Sequence, residues 1–326
     1  MKRFVRPVSI ALAAGVVALA AIAGTAQAQE TKLAVLFLDS QGFFGGIQKG
    51  IVEGAADSNV SLISSNSESD PTIEAEFLDV AIGAGVDAVI MSPVSFEASV
   101  PAVERVVEAG IPVVCYNTCL SDADTERLAG GLVTTNQFDF GKGVGAVAAA
   151  HIVDSGETAR VGILNCDRYE ACQQRKAGFL AALDEAGASY EILSDQEGFV
   201  ADAATQTATE MLTANPDIDL MWTANEGGTI GAVLGVMAAG LGGQTSVFGS
   251  DITLQIAQML QDGEVLKAVI AQQPQEMGRG AVQIALKILA GEAVEDKLIY
   301  IPTLVLEASK PESITDWMEA HADGIP

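Results

Sequence analysis

From Lys32 onward the chain alternates short apolar runs with longer amphipathic stretches, a rhythm that predicts parallel strands separated by covering helices. In the first half strands are expected at Lys32 to Leu38, Ser61 to Ser64, Ala88 to Met91, Val113 to Tyr116 and Gly131 to Val133. The second half repeats the scheme near Arg160 to Leu164, Tyr190 to Leu193, Leu220 to Thr223, Thr245 to Gly249 and Ala268 to Ala271. Asp70 followed by Pro71 reads as the cap and first-turn proline of a helix carrying Ile73, Phe77, Leu78 and Ile82. Phe138 to Ser155 reads as a small-residue helix, Met277 to Ala290 as another helix, Leu298 to Leu306 as one strand, and Glu312 to Ala322 as a polar terminal helix around Trp317. Two similar halves predict an α/β protein of two lobes, with no low-complexity linker between them. A hinge would then consist of several tight chain crossings.

Charge and the first residues narrow the setting. Met1-Lys2-Arg3 and Arg6 are basic, Val8 to Ala23 is apolar, and Ala26-Gln27-Ala28 has the small-x-small form of a secretory cleavage site, so residues 1–28 are expected to be a signal peptide. No cysteine lies near that point for a lipid anchor. The mature chain is expected to be free in an exported compartment, most simply a periplasm. The formal net charge is −26, and loss of the leader leaves 14 basic against 43 acidic residues. Such a surface repels phosphate backbones and anionic membranes, which argues against a nucleic-acid partner.

The four cysteines, Cys115, Cys119, Cys166 and Cys172, can oxidise in an exported protein. Three connectivities are open, and proximity favours the local pairs Cys115 with Cys119 and Cys166 with Cys172. His151 and His321 do not stand in zinc-ligand spacing with these thiols, so no metal is expected. Catalytic signatures are also missing. There is no Gly-x-Ser-x-Gly elbow and no phosphate loop, and two histidines are few for an acid–base centre. Gly143-Val-Gly145-Ala-Val-Ala148 matches a short dinucleotide fingerprint, but it falls inside an expected helix and lacks the preceding strand and tight turn. Close helix packing accounts for these glycines, and neither a cofactor nor an enzyme activity is expected.

Polar residues recur instead where strands end. Gln41, Phe43 and Phe44 follow the first strand; Tyr116-Asn117-Thr118 follows the fourth; Asn225-Glu226, Ser250-Asp251 and Gln272 follow strands of the second half. Singly, Asn225 and Asp251 could be helix caps, and Phe43 and Phe44 could simply begin a buried helix face. Together they point to a cleft at the carboxyl ends of the strands, where carboxylate and amide groups hold hydroxyls and rings cover C–H faces.

The ordered set Gln41-Gly-Phe43-Phe44, Tyr116-Asn117, Arg175-Lys-Ala-Gly178-Phe179, Asn215-Pro216-Asp217 leading to Asn225-Glu226, Gly249-Ser-Asp251 and Ile270-Ala-Gln272 resembles the ribose-type periplasmic sugar-binding proteins of ABC transporters. The likeness runs from about Lys32 to Leu306. It implies two Rossmann-like lobes, 31–134 with 273–301 and 135–272 with 302–326, joined by a multi-crossing hinge with the ligand cleft between them. It also implies a ligand set of Gln41, Phe43, Phe44, Asn117, Arg175, Phe199, Asn225, Asp251 and Gln272. Two departures matter. Asn117-Thr118 stands where relatives often have Asp-Arg, and Cys166 sits near a usual pocket position, while Gln41 replaces their usual asparagine; the pocket is expected to be altered, so that a different pentose, a hexose or a linear polyol fits at least as well as ribose. The implied role is delivery of a sugar or polyol by a monomer to a membrane permease, with a sensor feeding a chemoreceptor or sensor kinase as the alternative. An intracellular repressor would need a helix-turn-helix segment where the export signal stands.

Overall fold

The computed structural model describes Met1 and residues 30–326; apart from Met1, the expected leader lies outside the described residues. In chain order the strands are β1 (Lys32–Phe37), β2 (Ser61–Asn66), β3 (Ala88–Met91), β4 (Val113–Tyr116), β5 (Ala129–Thr134), β6 (Ala159–Asn165), β7 (Tyr190–Glu197), β8 (Leu220–Thr223), β9 (Ser246–Ser250), β10 (Leu266–Ala271), β11 (Leu298–Tyr300) and β12 (Leu304–Glu307). The helices are α1 (Gly42–Asp57), α2 (Pro71–Ala84), α3 (Val100–Glu108), α4 (Asp122–Leu128), α5 (Gln137–Ser155), α6 (Glu170–Glu185), α7 (Ala201–Ala214), α8 (Glu226–Ala238), α9 (Leu254–Asp262), α10 (Pro274–Leu289) and α11 (Pro311–Ala320).

Two six-stranded sheets result, ordered β11-β5-β4-β3-β1-β2 and β12-β10-β9-β8-β6-β7. All the pairings are parallel except β10 with β12. Each sheet is buried on both faces, which is why its central strands are continuous apolar runs. On β1, Leu33, Val35 and Phe37 join Ile47, Ile51 and Met277 on one side, while Ala34 and Leu36 join Leu78 and Val103 on the other. On β8, Leu220 and Trp222 meet Phe179, whereas Met221 meets Met211 and Val236. In each sheet the order reverses beside the first strand, between β1 and β3 and between β6 and β8, and such switch points open a crevice at the carboxyl ends.

The stretch expected as one strand from Leu298 to Leu306 is two. β11 pairs with β5 in the first sheet and β12 with β10 in the second, with Ile301-Pro302-Thr303 between them. Pro302 has no N–H for a ladder, and its carbonyl instead accepts a bond from Gln273 Nε2 at 2.7 Å. The chain thus passes between sheets after β5, after β10 and between β11 and β12. Residues 323–326, read from sequence as part of the second lobe, also reach the first-sheet helices: Asp323 pairs with Lys49 of α1 at 2.7 Å, and Gln275 Nε2 donates to the Ile325 carbonyl at 3.3 Å. Helix α4, not expected from periodicity, is started by Ser121, whose hydroxyl accepts from Asp124 N–H at 3.3 Å. Asp70 caps α2 as expected, its Oδ1 accepting from Thr72 N–H at 2.7 Å.

Small residues bring α5 and α6 together. A Cβ on Gly178 would lie 1.9 Å from the Phe138 carbonyl oxygen, and one on Gly141 would lie 1.8 Å from that of Arg175. Of the fingerprint-like glycines, Gly145 lies against Phe179 and Ala182 of α6, and Gly143 against Ile270 of β10. Both are used for packing, and the contact sets where the α6 residue Arg175 stands.

Candidate ligand cleft

The first wall grows from β1. Its end is pinned by Tyr116 of β4, whose buried hydroxyl donates to the Leu36 carbonyl at 3.0 Å and accepts from Leu38 N–H at 3.2 Å. Burial pushes the phenol far up, so it stays neutral and can do both. The chain then turns through Asp39, whose Oδ1 accepts from Gln41 N–H at 3.1 Å, into the exposed Gln41 that precedes α1. Gln41 makes no capping bond with its side chain. Phe43 and Phe44 are half-buried, edge to face at 5.3 Å between centroids. They touch the first-sheet core, and part of each ring's surface stays exposed.

The second wall centres on Arg175, which is only 7% exposed. Its Nε donates to Gln137 Oε1 at 2.8 Å, and its Nη1 to the Ala224 carbonyl at 2.9 Å and to Asp251 Oδ2 at 3.3 Å. The guanidinium carbon lies 4.1 Å from the centre of the Phe140 ring. A planar fork is needed to meet three acceptors from separate parts of the chain at once. Asp251 sits just past β9 with φ of +64°, a left-handed backbone that aspartate tolerates better than most residues, and its Oδ2 also accepts from Glu226 N–H at 3.0 Å. It is not a cap, because Thr253 performs that role for α9. Asn225 is one: its Oδ1 accepts from Gly228 N–H at 3.2 Å and its Nδ2 donates to the Phe199 carbonyl at 2.8 Å. That leaves one amide hydrogen for a ligand, and it fixes the loop carrying Phe199.

Burial first, and the Asp251 carboxylate second, raise the pKa of Glu226. The charged form is therefore disfavoured in the fold, and stability falls as pH rises from the ordinary glutamate range through the raised value. Glu226→Gln is expected to raise Tm by about 1 °C at pH 7, with the gain gone below pH ~4. Thermal melts at both pH values check this; an equal gain at each would rule out the charge as its source.

In the first sheet unit, Asn117 follows β4 with φ of +60° and is tied by its backbone, N–H to the Val133 carbonyl at 2.8 Å and carbonyl from Thr134 Oγ1 at 2.7 Å. Cys115 is joined to Cys119 across this turn and Cys166 to Cys172 across the β6–α6 turn, each pair with Cα atoms 5.4 Å apart. Gln272 ends β10 at the second crossing. Its Oε1 is buried and has no hydrogen-bond partner among the described residues, as is Thr135 Oγ1 at the first crossing. An orphaned acceptor costs about 1–3 kcal/mol unless water or a ligand meets it.

Sequence reasoning passed over two residues. Tyr169, 45% exposed before α6, has its ring 5.0 Å from that of Phe199, so the second wall carries two rings. Its position after β6 matches the rule that singled out the others, but it lies inside the cysteine loop. Gln137 stands one residue before the helix expected from Phe138 and is the first residue of α5; only its bond to Arg175 reveals it. Asn117, Gln137 and Tyr169 all line one cavity of about 1060 Å³ that Phe96, Cys119 and Lys297 also border. Gln41, Phe43, Phe44, Arg175, Asn225, Asp251 and Gln272 lie outside that lining.

Residues 33–293 match the model of the periplasmic binding protein domain. An ABC transporter periplasmic-binding protein, YphF, of Escherichia coli K12 is 33% identical over 309 residues, covering 94% of each chain. The D-ribose/D-allose-binding protein of Pseudomonas aeruginosa is 32% identical over 232 residues, 70% of this chain and 71% of that one. Among solved structures, an ABC transporter periplasmic solute binding protein from Actinobacillus succinogenes 130z with bound D-allose superposes with a TM-score of 0.75 at 26% identity, covering 87% of this chain and 100% of its own. A Bacillus halodurans solute binding protein with bound myo-inositol gives 0.71 at 21% identity, covering 90% and 99%, a likeness of fold.

Proposed function

The chain belongs to the periplasmic binding protein domain family, and from that premise we propose that it is an exported solute receptor that closes on a neutral sugar or polyol and hands it to an ABC transporter permease. The observation that carries this reading is Gln272, whose unpartnered Oε1 is buried at a crossing between the two sheets and asks for a hydroxyl. Elsewhere at the strand ends, Arg175 with Asp251 can supply charge-assisted bonds, and the pairs Phe43 with Phe44 and Tyr169 with Phe199 can supply apolar faces. An already paired arginine suits a neutral ligand better than an anion. The relatives' D-ribose and D-allose, and the neighbour's D-allose, are neutral polyhydroxy molecules of this kind.

The two sheet units are assigned to 31–134 with 273–301 and to 135–272 with 302–326, the last few residues strapping back to the first. Ligand bonds made from both units can form together only when the units approach, so binding favours the closed form. The leader at 1–28, a periplasmic location, a monomer, two local disulfides and the lack of nucleic-acid binding or enzyme activity belong to the same proposal. Among the described residues no helix is long and apolar enough to cross a membrane.

A thermal-shift panel of pentoses, hexoses, deoxy sugars, inositols and linear polyols tests the reading. One member at a hundredfold excess over its Kd is expected to stabilise the protein by about 2.7 kcal/mol. Silence across the panel, with a shift from amino acids instead, would overturn it.

A further inference from the structure

A cavity of about 1060 Å³ lies beside the Arg175 cluster, lined by Gln137 but by none of Arg175, Asn225 and Asp251. Cavities of roughly 300–1,000 Å³ hold ligands of drug size. Its lining comes from both sheet units: Asn117, Leu120 and Leu132 from the first, Gln137, Tyr169 and Gln174 from the second. One of these, Gln137, connects it to the cluster, and Asn117 leaves its side chain unengaged among the described residues. Gln137 accepts the Arg175 Nε bond through its Oε1, which leaves its amide hydrogens for another partner, and Asn117 uses its backbone alone to hold its turn. Thr118, beside Asn117, engages its hydroxyl with Ser92 Oγ at 3.0 Å, and its side chain is short. The wall at this point is low, uncharged and held by the Cys115–Cys119 link.

Resting on the proposed function, we propose that this cavity is a second compartment of the ligand site and that the ligand is a substituted sugar: a glycoside whose ring lies by Arg175 and whose uncharged, largely apolar substituent lies beyond Asn117 and Gln137. Two exposed rings border the compartment from the two sheet units, Phe96 from the loop after β3, 57% exposed, and Tyr169 from the loop before α6. Large apolar side chains so exposed at a cavity rim are suited to covering a flat group. Leu120, Leu132, Val294 and Leu298 add apolar lining. The charge around it decides against anionic substituents. Asp122, Glu126, Glu170, Glu295 and Asp296 face it, and of its two cations Arg168 pairs with Glu197 and Lys297 with Glu126 at 3.7 Å. A phosphate or uronate tail would meet carboxylates without a free partner.

Calorimetry on the full mature chain separates this proposal from the reading beneath it. Each sugar that binds is compared with its p-nitrophenyl α- and β-glycosides, in the wild type and in Phe96→Ala. One glycoside is expected to bind about tenfold tighter than its parent sugar, and Phe96→Ala to remove most of that gain while leaving the parent Kd within about twofold. Parents that bind while every glycoside binds more weakly would overturn the second compartment and leave the sugar receptor standing. A glycoside gain that Phe96→Ala leaves untouched would also overturn it, by placing the substituent elsewhere. If no sugar and no glycoside binds, both readings fall.

Discussion

Arg175→Ala is expected to abolish measurable sugar binding and to lower the folding free energy by about 3 kcal/mol. The side chain is buried, and its loss strands three acceptors at once: Gln137 Oε1, the Ala224 carbonyl and Asp251 Oδ2. Breaking a buried pair from one side costs more than the pair is worth, because the remaining carboxylate loses its counter-charge in a poorly hydrated place. The Phe140 face is uncovered as well. Arg175→Lys keeps the charge but not the fork, and one ammonium group cannot span Gln137, Ala224 and Asp251 together, so it is expected to fold better than the alanine variant and still bind at least tenfold more weakly than wild type. Denaturant melts and calorimetry check both effects. Full affinity in Arg175→Ala would remove the residue from the site.

The second large effect lies away from any ligand. Gly178→Ala is expected to cost about 3 kcal/mol or more, since its Cβ would stand 1.9 Å from the Phe138 carbonyl oxygen and 2.9 Å from Lys142 N, both backbone atoms. The helices α5 and α6 must then separate, and the separation displaces Arg175, so affinity is expected to fall along with stability. Gly83→Ala provides the contrast. It is also helical, but nothing lies within 4 Å of the added carbon, and it is expected to gain about 0.5–1 kcal/mol from helix propensity. Equal, small changes in the two variants would contradict the close α5–α6 contact.

Much of this was legible in the chain because a doubly covered parallel sheet leaves a strong mark. The apolar runs at Ala88–Met91, Val113–Tyr116 and Leu220–Thr223 are strands with those same bounds. What failed did so for local reasons. Leu298 to Leu306 is apolar on both sides of Pro302-Thr303, so periodicity could not show that its two halves serve different sheets, and only that dipeptide marked the break. Helix α4 is short and polar, with Leu128 its one buried residue, and gave no apolar stripe. Among the site residues, strand ends located Asp251 and Gln272, but the rule could not tell a cap from a ligand group, and Asn225 caps α8 with its side chain. Tyr169 and Gln137 come together with Phe199 and Arg175 through pairings across 30 and 38 positions, a proximity that no local pattern carries.

The central claim is that a neutral polyhydroxy ligand is gripped by polar groups from both sheet units, with the Arg175–Asp251 pair at the second wall. Its most direct test is a calorimetric titration of the panel sugar that most stabilises the protein into wild type and into Asp251→Ala, at equal concentrations. Wild type is expected to bind one molecule per chain, and Asp251→Ala to lose about 2 kcal/mol or more of binding free energy, roughly thirtyfold in Kd, because one member of a charge-assisted network is gone and its partners are left unsatisfied. Undiminished affinity in a folded Asp251→Ala protein would contradict the claim.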